Sequence, residues 1–391
     1  MFQTNFLSRD QVVAMTGEHG SPLFVYSKAK LIAQAQQLLA IPAPFGLTIR
    51  FAMKANPHPA ILEIFKQQGI QIDASSGYEA ELARKCGFRP ETILVTSQQL
   101  AHNLQDLVPA GIDFNATSLN QLEQYGRAFP GTSISVRVNP GIGSGHSAKT
   151  NVGGITSSFG IWHEYIPQIH ELAKIHGLNI VRLHTHIGAG TDPAVWQQAA
   201  LTSLRLIKKF PTATILNLGG GFKVGRMDDE HDADMGIIGT MLAQEVQKFK
   251  EETGRELHLE LEPGTFLVAN AGILVAQVED IVNTGKNGYT FLKLNTGMND
   301  ILRPGMYGSQ HPISVLNDST ETKDYVVVGH NCESGDLLTP VAGNPNLLQA
   351  RKLNKAAIGD LVLIGGVGGY CASMAAHGYN SFPSAAEVVI E

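Results

Sequence analysis

Short apolar runs, some alternating and some continuous, recur through the first two thirds of the chain. Between them lie longer stretches whose apolar positions fall three and four residues apart. The first pattern predicts strands and the second amphipathic helices. Strands are predicted near 47–53, 70–74, 92–96, 112–115, 133–138, 180–187, 214–218 and 257–261. Helices are predicted near 28–39, 58–68, 77–87, 98–107, 117–128, 162–176, 193–209 and 237–253. Ser76 precedes Glu79 at capping-box spacing, and Asn115-Ala116-Thr117 is expected to open the following helix. Eight strands alternating with helices are the number that closes a (β/α)₈ barrel, with an open doubly wound sheet as the alternative. After about residue 275 the pattern changes. Ile273–Val278, Tyr325–Val328 and Asp360–Ile364 are β-rich runs separated by Gly, Pro and Asn. The fold expected is therefore α/β, a TIM barrel over 26–274 followed by an all-β C-terminal domain. Residues 1–25 and 275–391 are assigned to that β-rich domain.

The chain has 391 residues, more than one ordinary core, which agrees with two domains. Charged residues make up 16% and the net charge is −6, so no basic field points to nucleic acid or an anionic membrane. The opening residues Met1–Phe6 lack a basic region followed by a long apolar run, and no apolar stretch is long enough to span a bilayer. The cysteines Cys86, Cys332 and Cys371 are odd in number and lack metal-ligand spacing. This fits a reducing cytoplasm and no metal site.

A barrel gathers its strand ends at one mouth, and these ends carry the candidate chemistry. Lys54 closes the first strand run, just before Ala55-Asn56-Pro57 breaks it. It is either a surface lysine or an amine able to form a Schiff base with a carbonyl cofactor. The sixth strand ends near His186, which is a core histidine or a residue lying against a cofactor ring. The seventh ends in Gly219-Gly220-Gly221, a tight turn or an anion cradle of backbone N–H groups. Its spacing to Gly225 does not match a dinucleotide fingerprint. The eighth ends in Glu262-Pro263-Gly264. Glu262 would need a cationic partner, either a structural arginine or a protonated pyridine nitrogen. Cys332 alone reads as a small buried hydrophobe.

Taken in order, these motifs resemble a known family. Phe51–Asn56 resembles the cofactor-lysine motif of the pyridoxal-phosphate amino-acid decarboxylases of alanine-racemase-like fold. These include the diaminopimelate, ornithine and arginine decarboxylases. His186-Ile187-Gly188, Gly219–Phe222 and Glu262-Pro263-Gly264 follow, then Arg303–Tyr307, Cys332–Asp336, Gly368-Gly369-Tyr370 and Tyr379–Pro383. The resemblance covers nearly the whole chain and is nearest to the diaminopimelate branch. It implies that Lys54 holds pyridoxal 5'-phosphate, Glu262 pairs with the pyridine nitrogen and His186 stacks on the ring. Gly220, Gly221, Gly264 and Tyr370 would hold the phosphate. It implies too that Cys332, from the second domain of a partner subunit, donates a proton after carbon dioxide leaves. A homodimer with shared active sites is then expected.

Arg303 and Tyr307 resemble the family's clamp on a distal carboxylate, and Glu333 its ligand for a distal ammonium. Three positions depart from the family pattern: Thr265 replaces an arginine, Ala189 a serine and Ser158 a lysine. The expected substrate is a small-molecule amino acid. The alternatives to meso-diaminopimelate are ornithine, lysine, arginine or a siderophore or other secondary-metabolite intermediate. A racemase on the same fold would need a second-domain tyrosine base. A non-catalytic regulatory homologue would have no chemical need of Lys54, Glu262 and Cys332.

Overall fold

The computed structural model describes residues 6–143, 153–186 and 188–391. Met1–Asn5 of the leader reading and Ile187 of the His-Ile-Gly motif lie outside the described residues. The chain divides into two compact units. One comprises Ile32–Lys223 and Asp232–Phe266; the other comprises residues up to Leu31, Val224–His231 and Leu267–Glu391.

In the first unit the eight predicted strands are present as Leu47–Ala52, Gln71–Ala74, Ile93–Val95, Asp113–Ala116, Ser133–Asn139, Asn179–His184, Ile215–Asn217 and His258–Leu261. Each pairs in parallel with the next, and His258–Leu261 pairs back onto Leu47–Ala52, closing the barrel. The open-sheet alternative is thereby excluded. The strands are buried on both faces, which is why several read as nearly continuous apolar runs. Local chemistry sets the helix ends. Ser76 Oγ accepts the Glu79 N–H at 3.1 Å, Asp192 caps Pro193–Ile207, and Asp234 caps Met235–Thr253, which ends at left-handed Gly254.

Two helical expectations change. The helix near 98–107 shortens to the single turn Leu104–Leu107. The carbonyls of Ser97 and Gln98 are instead bound by the Gln121 side chain at 3.0 and 3.1 Å. The next helix is capped by Ser118, because Asn115 and Ala116 belong to the preceding strand.

The second unit is mostly β. Its main sheet runs Ile313–Leu316, Leu361–Gly365, Gly272–Asn283, Thr290–Leu294, Thr322–Val328 and Arg351–Asn354. The strand Leu23–Ser27 pairs antiparallel with Gly272–Asn283 and parallel with Ala386–Ile390. Leu7, Val12, Leu23, Val25, Ile273, Val275 and Leu363 form a core beneath this sheet. Val12 belongs to a helix, Arg9–His19, that apolar periodicity does not announce, since Val12 is its only buried residue. Among the described residues no helix is long and apolar enough to cross a membrane.

Candidate active site

In the barrel unit, Lys54 lies in a single 3₁₀ turn, Met53–Ala55, directly after the first strand. Its Nζ is 3.2 Å from Asp73 Oδ2, at the end of the second strand, and 3.2 Å from Ser75 Oγ. The lysine side chain is 45% exposed, whereas Asp73 is buried. An amine held by two polar partners at a strand end is oriented rather than freely solvated.

Glu260 and Glu262 lie on the same side of the eighth strand and its extension, because side chains alternate with period two. Their partners differ. Glu260 Oε1 accepts from Arg50 Nη2 at 3.0 Å and from Arg182 Nη2 at 3.2 Å, all three groups being buried. Burial alone would raise the Glu260 carboxyl, but the two guanidiniums overcome it and pull its pKa down to about 2. The structural arginine pairing considered for Glu262 thus belongs to Glu260. Glu262 accepts from Asn217 Nδ2 at 2.6 Å and lies 3.4 Å from His184 Nε2; among the described residues no Lys or Arg comes within ion-pair distance of it. Burial pushes its pKa up. A buried carboxylate with no close cation is a site prepared for one.

The imidazoles of His184 and His186 are driven well below their ordinary pKa by burial, with Arg137 adding to the effect. Both are neutral near pH 7. Asn115 Nδ2 lies 2.6 Å from His184 Nδ1, and His186 Nδ1 has no hydrogen-bond partner among the described residues. Asp73 is raised by burial and then by Glu262. Arg137, at the end of the fifth strand, lies over the Phe159 ring at 5.3 Å.

The glycine run is required by close approach. A Cβ on Gly220 would overlap the Glu262 carbonyl oxygen, and one on Gly221 the Gly188 carbonyl oxygen. Gly219 and Gly221 have φ of 70° and 103°. Asn217 Oδ1 accepts the Gly219 N–H at 2.8 Å. The fully buried Trp196 stacks on Phe222, the residue that follows the run, with ring centres 4.3 Å apart. Among the described residues the N–H groups of Gly220, Gly221 and Gly264 donate to no protein acceptor.

These features fit pyridoxal phosphate. An oriented lysine suits its aldehyde, and a buried carboxylate without a close cation suits its ring nitrogen. A neutral imidazole suits its π-face, and a glycine cradle with unused N–H groups suits its phosphate.

The second unit carries the other sequence-predicted residues. Arg303 opens the short helix Arg303–Tyr307 and its guanidinium lies 5.8 Å from the Tyr307 ring centre. Among the described residues its one hydrogen bond, to Ser309 Oγ, is 3.4 Å long, and its Nε is buried without a partner. Cys332 is exposed, contrary to its reading as a buried hydrophobe. Glu333, beside it, accepts the Gly335 N–H at 3.0 Å. Tyr370 holds φ of 57°, a left-handed value uncommon outside glycine. The sequence reading missed Asp73, Arg137, His184 and Asn217. All four stand in the final two residues of barrel strands or just before them, and that position was their available signal.

Residues 28–269 match the family model described as the pyridoxal-binding domain of pyridoxal-dependent decarboxylases. A diaminopimelate decarboxylase of Streptomyces coelicolor is 36% identical over 98% of this chain and 88% of its own length. That of Escherichia coli K12 is 33% identical over 98% and 92%. A crystal structure of a diaminopimelate decarboxylase superposes with a TM-score of 0.92 at 33% identity, covering 100% of this chain and 93% of that one. A lysine/ornithine decarboxylase of Vibrio vulnificus, at 22% identity and a TM-score of 0.80, shares the fold. The chain belongs to the pyridoxal-dependent decarboxylases and is a pyridoxal-phosphate-dependent carboxy-lyase.

Proposed function

We propose that this enzyme decarboxylates meso-diaminopimelate, releasing carbon dioxide and lysine. The observation that carries the substrate assignment is Arg303. It is a guanidinium stacked near Tyr307 with a buried Nε unused and no carboxylate within 4 Å among the described residues. A planar cation kept in that condition suits the distal carboxylate of a diamino diacid. Lysine, ornithine and arginine have no such group. Glu333 would take the distal ammonium.

Bound pyridoxal phosphate supplies an electron sink for the pair left on the α-carbon when carbon dioxide departs. Lys54 is the residue that would hold it covalently, oriented by Asp73 and Ser75. Glu262 would keep the ring nitrogen protonated, and neutral His186 would lie against the ring without adding charge. Gly220, Gly221, Gly264 and Tyr370 would bind the phosphate. The Cys332 thiol would give its proton to the α-carbon and regain one from solvent. We infer that the cysteine comes from a partner subunit of a homodimer, and that the enzyme works in the cytoplasm. The domain division at 26–274 is part of the same reading.

A second reading rests on Thr265. It stands where the resemblance expects an arginine, so one charged hydrogen bond worth ~1.5–3 kcal/mol is missing. This favours a related amino acid or conjugate. Carbon dioxide release from purified holoenzyme, measured across meso-diaminopimelate, ornithine, lysine, arginine and citryl-diamino acid conjugates, decides between them. The proposal expects the highest kcat/KM for meso-diaminopimelate; a higher value for any other compound overturns it. Sedimentation giving a monomer at assay concentrations, with full activity, would remove the shared-site reading.

A further inference from the structure

The loop that carries Cys332 and Glu333 is exposed, yet it is tied from two sides. On its inner side the buried Asp336 acts as a hub. Asp336 Oδ1 accepts the Met298 N–H at 2.6 Å, and Oδ2 accepts the N–H and Nδ2 of Asn331 at 2.9 and 2.7 Å. The Asp336 carbonyl accepts the Gly329 N–H at 2.9 Å, and its own N–H donates to the Glu333 carbonyl at 3.1 Å. Gly297 and Gly329 leave the room for this carboxylate, because a Cβ on either would overlap it. The hub fixes the two ends of the loop through Asn331 and Glu333, on either side of Cys332.

The outer tie comes from Gly378–Phe382. Asn380 Oδ1 accepts the Cys332 backbone N–H at 2.8 Å. Phe382 stacks on His330, two residues before the cysteine, with ring centres 3.7 Å apart and planes within 7°. His330 in turn places Nε2 2.8 Å from Asn299 Oδ1. The strap adopts an unusual backbone to reach this position. Gly378, Asn380 and Ser381 have φ of 76°, 51° and 63°, two of them non-glycine residues in the left-handed region. Such a conformation costs of order 1–3 kcal/mol for each non-glycine residue, less for Asn, and persists where surrounding contacts impose it. Asn380 and Phe382 are both exposed, so the strap is not retained to fill a core.

We propose that Asn380 is a positioning residue for Cys332: its side-chain amide oxygen holds the cysteine backbone so that the thiol meets the α-carbon. This rests on the proton-donor reading of Cys332 given above. Tertiary ties to a loop are worth most where a reacting atom must be held within a fraction of an ångström.

The test uses purified holoenzyme and meso-diaminopimelate. Asn380→Gly keeps the left-handed backbone without strain and removes only the acceptor, whereas Asn380→Asp keeps both the acceptor and a tolerated backbone. The expected result for Asn380→Gly is a fall in kcat on the order of tenfold or more. KM and cofactor content should stay unchanged and the solvent deuterium isotope effect on kcat should rise, because proton delivery becomes slower. Asn380→Asp should stay within about threefold of wild type, since the acceptor remains. A general loss of structure would lower cofactor content and would not raise the isotope effect. Wild-type kcat in Asn380→Gly, or equal losses in the two variants, overturns the proposal. Cys332→Ala separates this failure from that of its premise. If that variant keeps wild-type kcat, the proton-donor reading falls and the positioning role falls with it. If it is slow while Asn380→Gly is normal, only the positioning role falls.

Discussion

The two units hold their chemistry in opposite ways. The barrel places Lys54, Asp73, Arg137, His184 and Glu262 in or directly after strands, where neighbouring backbones fix them and all but the lysine are buried. Burial and mutual charge set their protonation: Asp73 and Glu262 are raised, and the two histidines are lowered. The β unit carries Cys332 and Glu333 on an exposed loop whose geometry depends on one buried aspartate and one surface strap. A ring cofactor needs a fixed electrostatic environment, which strand ends supply. A substrate tail needs variable side chains, which loops supply at lower structural cost.

The largest effect expected on this contrast is at Lys54. Lys54→Ala should bring decarboxylation to background and remove the visible band of bound cofactor after gel filtration, with the fold kept. Retention of both would break the barrel half of the account. Next, Cys332→Ala should lower kcat by roughly 10²–10⁴-fold while cofactor content stays at wild type. Equal loss of cofactor and turnover would show that the loop serves structure and not proton delivery.

The third probe reaches the barrel interior. Glu260→Gln leaves Arg50 and Arg182 buried beside a neutral amide and should cost about 3–5 kcal/mol at pH 7. The sign with pH follows from the depressed carboxyl. Its contribution is fully present above the ordinary value of 4.5 and is lost as pH falls through about 2. That difference corresponds to about 3 kcal/mol. Denaturant titrations at pH 7, 4.5 and 3 should therefore show wild type and variant converging as pH falls. A constant gap would mean that Glu260 is not the anion of this triad. The smallest effect expected is on preference. Thr265→Arg should raise the kcat/KM ratio of meso-diaminopimelate to ornithine by roughly tenfold, and an unchanged ranking would reject the reading of position 265.

Much of the barrel was legible because its strands are short, apolar and evenly separated by amphipathic helices. All eight appear within two or three residues of the predicted bounds at either end. Lys54 and Glu262 were legible for the same reason, since each ends such a run. What was not legible depended on side chains meeting across the sequence. Nothing local in Glu260-Leu261-Glu262 says which glutamate takes the arginines, because that is decided by Arg50 and Arg182 on the first and sixth strands. The stretch 98–103 has a helical composition, but Gln121 binds the Ser97 and Gln98 carbonyls, which act as chain anchors rather than helix acceptors. The helix Arg9–His19 carried a readable cap in Ser8 and Gln11, yet it is polar on nearly every side and lacks the periodic signal. The strap at 378–382 was legible only as the motif Tyr379–Pro383, and its tie to Cys332 was not, since that lies in backbone angles and one amide oxygen.

The most direct measurement is borohydride reduction of the purified holoenzyme followed by peptide mapping by mass spectrometry. The account predicts a single phosphopyridoxyl group, on Lys54. Its attachment to another lysine, or its absence from a decarboxylating preparation, would contradict the assignment of this amine as the cofactor's anchor.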